Sequence, residues 1–174
     1  MAVTIRPPDP ADLASLTGFL AGLSTRTRVQ RFFAPVRPTP AMVRRACGQP
    51  GPAGHADILL ATHDGVIIGH AMAADRADAG ESLTEIGVVV ADAWQGQGVG
   101  SALVRALLCR AHARGVTSLS MDVLPDNHQV LAMIAGHWAV ERTRRDVDCV
   151  TIQVGLLSAR PERVTPARVP LAAR

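Results

Sequence analysis

The 174-residue chain contains no lysine and no tyrosine, and its aromatics are three phenylalanines and two tryptophans. Each absence excludes something. A Walker A loop needs a lysine to reach the phosphates of a nucleotide, so that phosphate site is ruled out. With aromatics at 3% and no basic stripe, nucleic acid is not an expected partner. Cys47, Cys109 and Cys149 are odd in number and far apart, which implies no disulfide framework. No stretch approaches ~18 uninterrupted apolar residues. The first eight residues, Met-Ala-Val-Thr-Ile-Arg-Pro-Pro, contain no apolar signal core. The chain is therefore expected to be cytoplasmic and to have no membrane partner.

What is present is the composition of one globular domain: 48% hydrophobic and 19% charged residues. The net charge of +3 is unevenly placed. Residues 157–174 carry Arg160, Arg163, Arg168 and Arg174 against Glu162, while residues 1–156 are formally neutral. We therefore expect a single domain over 1–156 and a disordered Pro/Ala/Arg-rich tail over 157–174.

The punctuation of the chain predicts its elements. Val3 to Arg6 reads as a strand closed by Pro7-Pro8. Asp9-Pro10 opens a helix through Leu23, and Ser24 or Thr25 caps a second helix carrying Val29, Phe32 and Phe33. A short third helix follows Thr39-Pro40, and Gln49 to Gly54 is a loop. Asp57–Thr62 and Val66–Ala73 form a hairpin across Asp64-Gly65. A loop with Gly80 leads into a strand from Leu83 to Val90. A helix opening at Ser101 ends at Gly115, a residue suited to a left-handed cap. Ser118 to Val123 is a strand, Asn127 to Ala135 a helix, and two last strands are expected near Trp138–Arg142 and Val147–Val154. Leaving aside the short third helix, the order β-α-α-β-β-β-α-β-α-β-β is that of a mixed α/β sheet.

The most informative stretch is Val88 to Gly100. An apolar strand stops at Ala91-Asp92, and a Gly-rich turn then feeds a helix. Backbone N–H groups at such a helix start converge, backed by the helix dipole, on a place for a phosphate. Gly96, Gly98 and Gly100 alternate, and Ser101 stands where a dinucleotide fingerprint needs its third glycine. The order Gln95-x-x-Gly98-x-Gly100 instead resembles the acyl-CoA pyrophosphate loop of the GNAT N-acetyltransferase superfamily, Gln/Arg-x-x-Gly-x-Gly/Ala. Leu23-Ser-Thr-Arg-Thr-Arg-Val-Gln-Arg-Phe-Phe33 and Glu85-Ile-Gly-Val-Val-Val90 are most similar to segments of bacterial protein-lysine acetyltransferases of that superfamily.

The resemblance covers about Val3 to Gly155 and implies the GNAT fold. That is a mixed, mostly antiparallel sheet of six to seven strands flanked by helices, with splayed central strands. It implies acetyl-CoA as cosubstrate, an amine acceptor and, since such proteins often dimerise, a homodimer. Carried onto this chain, it implies that backbone groups of Val88 and Val90 hold the pantetheine arm. Gln95, Gly96, Gln97, Gly98, Val99, Gly100 and Ser101 would cradle the pyrophosphate, and Asn127 would contact CoA. Plain alternatives stand beside these: buried strand valines, and for Asn127 an ordinary N-cap.

Glu85 is the candidate general base. It interrupts an apolar segment, and burial raises a carboxyl pKa towards the range of a working base. The alternative is a strand-end glutamate facing solvent. The resemblance places a tyrosine acid two turns into the helix after Asn127, where this chain has Ile134. His128 and His137 are nearby donors or spectators. Arg26, Arg28 and Arg31 are either a solvated face or substrate contacts. Cys109 and His112 alone make no metal site, and no metal is expected. Three functions follow: acetylation of a protein lysine, acetylation of a small amine (polyamine, amino acid or aminoglycoside), or acetyl-CoA sensing without catalysis. Asp75, Asp78, Glu81 and Glu85 gather near one loop and would suit a polycation.

Overall fold

The computed structural model describes residues 2–49, 55–76 and 83–156, the side chain of His137 aside. The expected loop over 50–54, the Gly80 loop and the tail over 157–174 lie outside these residues. The elements in chain order are β1 (Thr4–Arg6), α1 (Leu13–Gly22), α2 (Thr25–Phe32), α3 (Pro40–Ala46), β2 (Ala56–His63), β3 (Val66–Arg76) and β4 (Leu83–Val90). Then follow α4 (Val99–Ala113), β5 (Ser118–Val123), α5 (His128–His137), β6 (Val140–Arg145) and β7 (Val150–Gly155).

Local chemistry sets most boundaries. Asp9 accepts from Ala11 N and caps a 3-10 turn at Pro10–Asp12, so the first helix begins three residues later than the sequence suggests. Ser24 and Thr39 cap α2 and α3 through their hydroxyls. Phe33 adopts φ 59 and ends α2 rather than continuing it. Asp64 and Gly65, at φ 49 and 79, make the tight turn between β2 and β3. Gly115, at φ 84, follows α4 as the left-handed residue. Two strands shift from expectation: β3 runs on to Arg76, and β6 starts at Val140 and is exposed along its whole length. An edge strand with no buried face shows no alternation in sequence.

The seven strands form one sheet in the order β1-β2-β3-β4-β5-β7-β6. All neighbours are antiparallel except β4 and β5, which are parallel. On one face α4 and α5 bury Val99, Leu103, Leu107, Ala111 and Ile134 against Ile86, Val90, Leu119 and Val154. Each such side chain is worth about 1.5–3 kcal/mol when fully buried. On the other face α1 and α3 bury Leu16, Leu20 and Val43 over Leu60, Ile67 and Val89. Among the described residues no helix is long and apolar enough to cross a membrane.

Candidate active site

Along its whole length, from Leu83 to Val90, β4 is paired with β3. Its pairing with β5 is confined to Thr84↔Leu119 and Glu85↔Ser120. From Ile86 onward the two parallel strands part, and the central sheet opens. Glu85 stands at the fork. The opening is a cavity of about 850 Å³ bounded by Glu85 to Val90 of β4 and Met121 to Val123 of β5. The glycine loop, the start of α4, α5 and the inner side of α2 complete its walls.

At one end lies the N-terminus of α4. Gly96 and Gly98 have φ 72 and 84, a conformation that side-chain-bearing residues rarely adopt. A Cβ added at either would meet nothing within 4 Å, so it is the backbone twist that requires glycine there. Gly98 is the N-cap, and no side chain caps the helix. The first-turn N–H groups of a 15-residue helix thus face open space with the positive end of the dipole behind them. That arrangement seats an anion.

Of the residues carried from the resemblance, Val88, Val90, Gln95, Gly96, Gly98, Gly100, Ser101 and Asn127 line the cavity. Gln97 and Val99 do not: Gln97 Nε2 donates to Ala93 O at 2.8 Å, and Val99 is buried in the core. Gln95 is turned to a structural task. Its Nε2 donates to Val90 O and to Thr27 Oγ1, both at 3.0 Å, tying α2 to the end of β4. Asn127 caps α5, its Oδ1 accepting from Val130 N at 3.4 Å.

The other end of the cavity is built from charged side chains. Alternation along β4 puts Glu85, Gly87 and Val89 on the side of α1–α3. The Arg31 guanidinium of α2 lies directly on Gly87, where any Cβ would collide with it. It also sits over the Phe32 ring, 5.1 Å from the centroid. Burial holds this guanidinium below the usual arginine range, while the Glu85 charge pulls the other way. His70, opposite Val89 on β3, is buried, and its Nε2–H donates to Ala46 O at 3.0 Å. Burial and the Arg31 charge lower its pKa to about 4, so the ring is neutral at pH 7.

Residues 25–136 match the acetyltransferase (GNAT) family. The chain belongs to that family.

Solved structures share the fold. The GNAT domain of S. lividans PAT superposes with a TM-score of 0.76 at 25% identity, over 88% of this chain and 90% of that one. The protein yncA from Salmonella typhimurium, solved with its cofactor acetyl-CoA, gives 0.69 at 20% identity, over 96% and 99% of the two chains. A curated relative, L-2,4-diaminobutyric acid acetyltransferase from Nocardia farcinica, is 34% identical over 86 residues. That match covers 49% of this chain and 43% of the relative, so the chain matches less than half of the relative's length. GNAT proteins use acetyl-CoA, and the residues fit it. An uncapped helix start suits its pyrophosphate, and the apolar slot between β4 and β5 suits its pantetheine arm.

The GNAT frame also locates what the sequence left open. Ile134 is buried and lines the cavity where the family tyrosine acid was sought, so no acid stands at that point. His128 lines the cavity, whereas the His137 side chain lies outside the described residues. Of the acids expected near the β3–β4 loop, Glu85 lines the cavity and Asp75 does not. Asp75 accepts from Thr84 Oγ1 at 2.8 Å and pairs with Arg114 at 3.1 Å, away from the cavity. Asp78 and Glu81 lie outside the described residues. In sequence Arg31 stands level with Arg26 and Arg28. Only the fold separates it, through a glycine 56 positions away.

Proposed function

We infer that this chain transfers the acetyl group of acetyl-CoA to a primary amine bound at the Glu85 end of the cavity. The observation that carries this is the fork itself. One cavity joins the open N-terminus of α4 to a carboxylate at the point where β4 and β5 separate. Acetyl-CoA supplies an activated acyl thioester. The chain supplies the rest. Val88 and Val90 offer backbone groups along the slot, and strand N–H groups freed by the splay stand ready to stabilise a developing oxyanion. A lysine amine has a pKa of ~10.4 and arrives protonated, so a base is needed. Glu85 takes that proton, directly or through water. The leaving thiol has a pKa of ~8.5 and departs without a strong acid, which suits a site with Ile134 in place of tyrosine.

The acceptor we favour is a protein lysine side chain, on the segments Leu23–Phe33 and Glu85–Val90 and the likeness to the S. lividans PAT domain. A second reading, a small amine, is supported by the match to a diaminobutyric acid acetyltransferase. The test is CoA release from acetyl-CoA with a lysine-bearing protein and a panel of amines, with Glu85→Gln in parallel. We expect acceptor-dependent release whose kcat falls about 10²–10⁴-fold in Glu85→Gln, with acetyl-CoA affinity retained. Binding of acetyl-CoA with no release from any acceptor would overturn the reading in favour of a sensor.

A further inference from the structure

The cationic wall of the acceptor end is unaccounted for by acetyl transfer to a bare amine. Arg31 and Arg26 both line the cavity that Glu85 borders. The α2 sequence Thr-Arg-Thr-Arg-Val-Gln-Arg-Phe has no acid to offset them. Asp92, Asp122 and Asp126 also line the cavity, but Asp92 accepts from Ser24 and Thr27 and Asp122 from Thr151. Two arginines beside Glu85 therefore disfavour a polycation there, since like charges repel at close range.

Arg31 is also poorly served by the protein. Its Nε is buried without a hydrogen-bond partner, and among the described residues its guanidinium makes no hydrogen bond or ion pair. A desolvated guanidinium lacking protein acceptors is costly, whereas one that receives a carboxylate or phosphate is satisfied in the fork geometry it is suited to. Arg28 Nε is likewise buried without a partner, but its Nη1 and Nη2 donate to Ala21 O and Thr25 Oγ1. Arg31 is held in place by Phe32 on one side and the bare backbone of Gly87 on the other. Gly87 lies two residues from Glu85 on the same face, about 7 Å along the strand. One small group carrying both an amine and a carboxylate spans that gap.

We propose that Arg31, seated on Gly87, is a specificity-determining residue that receives a carboxylate carried close to the acceptor amine. The acceptor class is an amino acid or a lysine with an acidic neighbour, and not a polyamine or aminoglycoside. This rests on the acetyltransferase reading and narrows it.

The experiment compares paired acceptors that differ in one charge. One arm uses 2,4-diaminobutyrate and its carboxamide. The other uses a lysine peptide with aspartate or asparagine beside the lysine. In the unaltered protein the carboxylate member of one pair should have a kcat/KM at least tenfold higher, and the arm in which this occurs identifies the source of the carboxylate. Arg31→Met should collapse that ratio towards one, chiefly through KM. Gly87→Ala should act in the same direction with the arginine retained, because the new methyl displaces the guanidinium. Retained acetyl-CoA affinity and melting temperature would show that both variants fold. Equal turnover of both members of each pair would overturn the proposal while leaving the acetyltransferase reading intact. An equal drop for both members in Arg31→Met, with the ratio preserved, would also overturn it, since that is the mark of a merely structural arginine.

Discussion

Along β4, Ile86, Val88 and Val90 turn towards α4 and β5, whereas Glu85, Gly87 and Val89 turn towards α1–α3. The first set is aliphatic and packs against a large core. The second holds a carboxylate, a residue with no side chain, and one valine. A strand's period of two thus lets one segment found the fold on one face and line the candidate site on the other. The splay from β5 then exposes the strand's edge to the same cavity. The two faces differ in what a change should disturb: stability on the apolar face and, on the function proposed above, acceptor choice and rate on the other.

The largest effect should come from breaking the apolar face. Ile86 is buried among the residues of the α4 core, and Ile86→Ala leaves a cavity there. We expect a loss of about 2–5 kcal/mol in urea unfolding. A loss below about 1 kcal/mol would mean that the face collapses around the gap and is not the foundation described here.

The second prediction probes the α1–α3 face through pH. His70 has a folded pKa of about 4 against the ordinary 6.5, because burial and Arg31 disfavour the imidazolium. Between those values the unfolded chain binds a proton that the folded chain refuses. Stability is therefore complete above about pH 6.5 and falls as pH drops towards 4, by about 3 kcal/mol at most. His70→Gln should flatten that part of the stability profile. Arg31→Met should narrow it, since one of the two opposing causes is gone. An unchanged slope in His70→Gln would assign the acid limb to other groups.

The glycine loop and most of the elements were legible because they depend on neighbours in the chain. Gly98 as a twisted helix start, Asp64-Gly65 as a turn and Gly115 as a cap each follow from local backbone chemistry. Glu85 was legible as a charge inside an apolar run. The seat of Arg31 was not, because nothing near it in sequence distinguishes it from Arg26 or Arg28. Its partner is an absence, the missing side chain of Gly87 on another element. The place of Gln95 in the loop suggests a cofactor residue, and nothing local shows that its side chain also ties to Thr27, 68 positions away. The exposed β6 carried no alternation from which to set its bounds. Contacts that form only when distant segments meet leave no periodic trace.

The smallest effect concerns the joint between the two ends of the cavity. Asp92 follows β4 and caps α2 from outside: Ser24 N donates to its Oδ2 at 3.0 Å, while Ser24 Oγ and Thr27 Oγ1 donate to its Oδ1 at 2.6 and 2.8 Å. Burial would raise its pKa, but the hydrogen bonds from Ser24 and Thr27 outweigh it and hold the carboxyl below the usual range. Such a group stabilises the fold above the ordinary aspartate pKa of ~3.9, and its contribution is lost as pH falls below that value. Asp92→Ala should cost about 1 kcal/mol at pH 7, the usual worth of a helix cap, and the difference from the unaltered protein should shrink as pH falls below ~3.9 and through the lowered pKa of Asp92. Gln95 still links Thr27 to β4, so the helix stays docked but less firmly aimed. Because α2 carries Arg31, the KM for the acceptor should then rise more than the KM for acetyl-CoA. Equal rises in both would show that Asp92 supports the glycine loop rather than the acceptor wall, and that the two ends of the cavity are not mechanically separable.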